Sequence, residues 1–127
     1  MRLPKVLGLV LCWAFEVDRA AGEVLLRGIF NALHFRDWPS PPQRFAVYSV
    51  LQDGVGEGTI KLEVVRLETE QVVHRYQKWV ALPGRGSYFN LVIPITNGIF
   101  PSPGRYKVAL YFDNQELSGR LLDIYPE

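Results

Sequence analysis

His34 and His74 are the only histidines, and Cys12 the only cysteine, in a chain of 127 residues. Hydrolysis by a serine nucleophile would need one of these imidazoles within hydrogen-bond reach of a hydroxyl and an orienting carboxylate. No nucleophile-elbow motif surrounds any serine, so a hydrolase built on His34 or His74 would have to be assembled from distant positions. A metal site needs more ligands than the sequence groups together: His34 and Asp37 stand near each other, His74 stands alone, and Cys12 has no partner thiol. Structural histidines, and no metal or other cofactor, are the simpler expectation. The stretch "DGVGEGT" (53–59) is rich in glycine but misses the dinucleotide spacing, lacks a Lys-Ser/Thr pair and precedes a strand pattern. Asp53 and Glu57 are too few for calcium, which takes six or more oxygens.

What remains for recognition are two loops. "FRDWPSPPQR" (35–44) offers Arg36 and Trp38 among prolines, and "LPGRGSY" (82–88) offers Arg85 and Tyr88 beside glycines. Trp, Tyr and Arg dominate interface hot spots, which makes Trp38, Arg36, Arg85 and Tyr88 the candidate partner-binding residues. The alternative is that Trp38 caps one end of a core and the glycines only turn the chain.

Composition narrows the partners. Fourteen basic against 13 acidic residues leave a formal charge of +1, without a like-charge run that could track phosphates. Nucleic acid is therefore not expected as a partner. The lone cysteine permits no internal disulfide and points toward a reducing, cytoplasmic setting. A single domain over residues 1–127 is the size that one core supports.

The elements that must position these residues read as strands. The opening apolar run from Val6 to Phe15 is too short to span a bilayer as a helix, which needs about 20 residues. With Arg2 and Lys5 in front it has two marks of an export signal. The third mark is missing, because Glu16, Val17, Asp18 and Arg19 occupy the place of a small-residue cleavage site. A strand buried on both faces fits the run better. "GEVLLRGIFNALHF" (22–35) reads as a second strand with a bend at Gly28, and the proline-rich 37–43 segment as a crossover between sheets. In "TIKLEV" (59–64), Ile60, Leu62 and Val64 alternate with Lys61 and Glu63, and the phase slips at Val64-Val65, where a bulge is expected. "VVHRYQKWV" (72–80) has helical spacing but β-rich composition, which favours a strand. Phe89, Leu91, Ile93 and Ile95 share one face of the next strand, which Pro94 pushes to a sheet edge. Tyr106, Val108, Leu110 and Phe112 point inward from another, ahead of a two-residue Asp113-Asn114 turn. The "PGRY" corner at 103–106 resembles the tyrosine corner of Greek-key sandwiches. These signals predict an all-β, two-sheet antiparallel β-sandwich of Ig-like, Greek-key type with about eight strands.

Taken in order, "KVLGLVLC", "LLRGIFNALHF", "PPQRFAVYSVLQDGVGEGTIKLEVVRLET", "NLVIPI" and "FPSPGRYKVALYFDNQEL" resemble a family of small bacterial all-β proteins known only as a domain of unknown function. The chain departs from that family's pattern at Trp13, where an acidic residue is expected, and at Glu70, where a glycine is expected. The resemblance implies a retained first strand and brings no catalytic residues.

Three functions fit such a domain. The leading expectation is a non-catalytic module that binds a protein, or itself, through a sheet edge or the Trp38 loop. A carbohydrate-binding module would instead align Trp38, Trp79 or Tyr88 in a planar row. An enzyme would place His34 or His74 in a pocket with a nearby carboxylate.

Overall fold

The computed structural model describes residues 2–127, all of them in strands, turns and loops. Among the described residues nine strands form: β1 (Lys5–Asp18), β2 (Glu23–Phe30), β3 (Ala32–Phe35), β4 (Gln43–Gln52), β5 (Val55–Arg66), β6 (Gln71–Pro83), β7 (Tyr88–Gly98), β8 (Gly104–Phe112) and β9 (Gln115–Pro126). They make a four-stranded sheet ordered β2-β1-β4-β7 and a five-stranded sheet ordered β3-β9-β8-β5-β6. The non-consecutive neighbours β4·β7 in one sheet and β5·β8 in the other interlock the two layers, as Greek-key connections do. Every pair is antiparallel except β3·β9, a four-residue parallel pair at the rim of the larger sheet.

The core between the sheets comes from the alternations read above. Ile60, Leu62, Tyr106, Val108, Leu110 and Phe112 are fully buried, and Leu91, Ile93 and Ile95 face them from the smaller sheet. The register slips between Val64 and Val65, so the expected bulge is present. Residues 72–80 are strand within β6. Asp113 and Asn114 turn the β8–β9 hairpin with φ of 46° and 66°. Tyr106 donates its hydroxyl to the Ser102 carbonyl at 2.6 Å, which closes the tyrosine corner. At the β5–β6 turn Glu70 adopts φ 58°, a conformation that glycine would take without strain.

Two expectations need correction. The 22–35 segment is two strands, because Asn31 hands the chain from one sheet to the other; this accounts for the ninth strand. The break is a single bend residue between two strand-rich stretches, and so composition shows no break there. The apolar run at the start is indeed a strand, but it has neighbours on both sides only at Leu11 and Cys12, and only Leu9, Leu11 and Cys12 are buried within β1. The reason is length. β1 pairs with β4 only from Lys5 to Cys12, whereas its pairing with β2 runs from Leu11 to Asp18. Residues 13–28 therefore continue beyond the β4 pairing as a two-stranded ribbon.

Gly28 holds the base of that ribbon. Its φ is +67°, and a Cβ there would lie 2.8 Å from Trp13 Cδ1. Trp13 in turn stacks on Phe30 with ring centroids 4.5 Å apart and meets Phe45 edge-on at 6.5 Å. Gly28→Val is expected to cost about 1–3 kcal/mol, from left-handed backbone strain, and to push Trp13 off Phe30. Denaturant unfolding followed by tryptophan fluorescence reads both effects; an unchanged midpoint and emission maximum would contradict this account.

The seam between the sheets is closed by Arg120 of β9. Its guanidinium donates to the Leu9 carbonyl of β1 at 3.0 Å and, through Nε and Nη2, to the Asn31 side-chain oxygen. Beyond the end of β2 at Phe30, residues 5–10 of β1 form a sheet edge, and a charged donor on the free Leu9 carbonyl blocks further pairing there.

Candidate functional site

The four residues singled out for partner binding sit in two separate places. Trp38 is half-buried against the core and meets Phe35 edge-on at 5.9 Å. Nearby, Arg36 reaches Glu127 across 3.9 Å from a side chain that is 81% exposed. Arg85 and Tyr88 lie in and after the β6–β7 turn, which is tied to the β4–β5 turn where Gly86 N donates to the Asp53 carboxylate at 2.6 Å. The two pairs occupy opposite ends of the sandwich. Val55, beside the β4–β5 turn, pairs with Pro83, whereas Arg66 at the other end of β5 pairs with Tyr106, and Tyr106 meets edge-on the Phe100 ring that stacks on Phe35. The structure does not bring the four together.

The aromatics of a sugar platform are scattered too. Trp38 caps one end, Trp79 stands 63% exposed on β6, and Tyr88 lies on β7 in the other sheet. No shared plane results.

The histidines lie on opposite edge strands of the five-stranded sheet, β3 and β6, at least about 19 Å apart by strand spacing. His34 is exposed and stacks on Tyr125 at 5.2 Å. His74 is half-buried, and desolvation holds its pKa below the ordinary value. Burial pushes the Cys12 thiol up, away from the thiolate that reactivity requires. Among the described residues no three His, Cys, Asp or Glu side chains are grouped to hold a metal ion.

The surface that stands out is the β1–β2 ribbon. Among the described residues 14 large apolar side chains are exposed; four of them, Trp13, Phe15, Val17 and Leu25, lie on the ribbon, and a fifth, Ile29, lies at its root. Alternation assigns them to its two faces, Trp13, Phe15 and Val17 to one, Leu25 and Ile29 to the other. Beside Phe15 and Val17, a cleft of about 360 Å³ is lined also by Arg19, Lys78 and the Phe89–Val92 segment of β7. β2 is the last strand of its sheet, and among the described residues its outer backbone edge from Glu23 to Ile29 has no partner. Open edges and concentrated apolar side chains are what strand-adding interfaces use.

Of these residues, sequence reasoning placed Trp13 and Phe15 in the interior, as part of the apolar run from Val6 to Phe15. The available signal was the charge alternation of "FEVDRAAGEVLLRG" (15–28), where Glu16, Asp18, Glu23 and Arg27 interrupt the apolar positions. A strand buried on both faces does not carry charges at every second place.

Fold and surface together define the class: a two-sheet β-sandwich with a protruding hairpin ribbon that leaves a strand edge open. The chain belongs to the family of unknown function DUF6941, whose match spans residues 8–124. No curated protein matches it. Among solved structures it is similar to an immunoglobulin-like protein from Pseudomonas aeruginosa, with 11% identity, 95% of each chain covered and a TM-score of 0.45. It is also similar to the CARDB domain of a Pyrococcus furiosus protein solved in complex with di-metal ions, with 12% identity, 100% of this chain and 98% of that one covered, and a TM-score of 0.42.

Proposed function

We propose that this chain is a non-catalytic protein-binding or assembly domain that engages its partner through the β1–β2 ribbon. The observation that carries the reading is the coincidence, on the ribbon and its root, of five exposed large apolar side chains and, among the described residues, an unpaired strand edge. Backbone pairing along β2 would supply directionality, and the apolar faces would supply burial at about 25 cal/mol per Å². The rest of the sandwich acts as a rigid base that fixes the ribbon's root through Trp13, Phe30 and Phe45.

The test is site-specific crosslinking in the cell of origin. A photo-reactive residue at Leu25 is expected to give a discrete protein adduct, either a second copy of the chain or another protein. The same group at Lys61, on the outer face of the larger sheet, is expected to give none. Equal crosslinking from both positions, or none from Leu25, would remove the ribbon as a docking surface.

A further inference from the structure

We infer that the partner taken by β2 is the β2 of a second copy, paired antiparallel about a twofold axis through Leu25. This rests on the reading of the ribbon as a protein-binding surface and names its occupant. The argument is one of charge and register. β2 reads Glu23-Val24-Leu25-Leu26-Arg27-Gly28-Ile29-Phe30. A continuous sheet requires that residues opposite each other across the twofold share a face, so the axis must pass through a residue. Centring on Glu23 or on Arg27 sets like charges side by side, and centring on Val24 or Leu26 leaves both charges opposite apolar or uncharged neighbours. Only the register centred on Leu25 sets Glu23 opposite the Arg27 of the second copy, twice by symmetry. The same register stacks Leu25 on its own counterpart between those ion pairs, and Val24 against Leu26 on the other face.

Electrostatics within one chain favour that arrangement. Asp18 and Glu23 face each other directly across the β1–β2 hairpin, a like-charge cross-strand pair that destabilises. Arg27 is held only loosely: its one ionic contact among the described residues, to Glu16, spans 3.5 Å between side chains 64% and 67% exposed. A second copy would bring a guanidinium to Glu23 and Asp18 at each end. Edge strands that guard against pairing carry charges that repel a copy of themselves; this edge carries a set complementary to itself. Isologous contact of this kind is the commonest route to a closed dimer.

The experiment is a charge-exchange series read by sedimentation velocity across a concentration range, with circular dichroism to confirm the fold. The native chain is expected to show concentration-dependent dimers. Glu23→Arg and Arg27→Glu, each of which juxtaposes like charges, are expected to weaken dimerisation by about tenfold or more. Mixing those two variants, or combining the exchanges in one chain, is expected to restore it. A native chain that stays monomeric throughout overturns the inference, as does a dimer indifferent to both exchanges or one that the combined exchange fails to rescue. If the native chain is monomeric while Leu25 still crosslinks to a different protein in cells, the ribbon keeps its binding role and only the second copy is excluded.

Discussion

Tyr106→Ala is expected to lower the free energy of unfolding by about 3–5 kcal/mol, the range for deleting a buried aromatic ring. Tyr106 is fully buried and its ring meets Phe100 edge-on at 5.2 Å. Its hydroxyl, at 2.6 Å from the Ser102 carbonyl, ties the start of β8 to the loop before it. Tyr106→Phe keeps the ring and removes only that bond, at an expected cost of about 1 kcal/mol. Denaturant titration separates the two contributions, provided the slope of the transition is unchanged. Equal losses in both variants would mean that the hydroxyl, and not the packing, anchors this corner.

The second large effect lies in β1. Leu11→Ala is expected to cost about 2–5 kcal/mol, because Leu11 is fully buried where the two sheets meet. Leu7→Ala, the same chemical deletion one turn of sequence earlier, is expected to move stability by less than about 0.5 kcal/mol, since Leu7 is 54% exposed. The contrast matters more than either value. A ten-residue apolar run treats both leucines alike on paper, and only the geometry of pairing separates them. Comparable losses would show that β1 is enclosed on both faces after all.

Much of the fold was legible because it rests on local alternation. The four inward residues of β8, the Ile60-Leu62-Val64 face of β5, the slip at Val65 and the Asp113-Asn114 turn all obey a period of two or a turn preference that neighbouring residues reveal. The expectation of strand over helix for 72–80 also held, as its valines and aromatics suggested. Features set by partners far along the chain were not legible. The pairing of β1 with β4 ends at Cys12 opposite Ala46, a partner 34 residues further along the chain, and nothing near Trp13 announces it. The sheet switch at Asn31 is invisible for a similar reason, since its stabilising bonds come from Arg120. For the candidate site, the aromatic and basic loops attracted attention by composition, which reports propensity without placement. The ribbon escaped notice because its apolar residues merged with those of the core strand that precedes it.

Arg120 also bears on how the chain is made. Its bond to the Leu9 carbonyl joins residues 111 apart in sequence, and β3 waits likewise for β9, with His34 set beside Tyr125. During synthesis β1 emerges well before β9, which carries the group that closes its rim. Contacts of such high order slow folding and lengthen the interval in which apolar strands stand open. A nascent chain halted before β9 is thus expected to require a chaperone's shelter that the finished molecule does without.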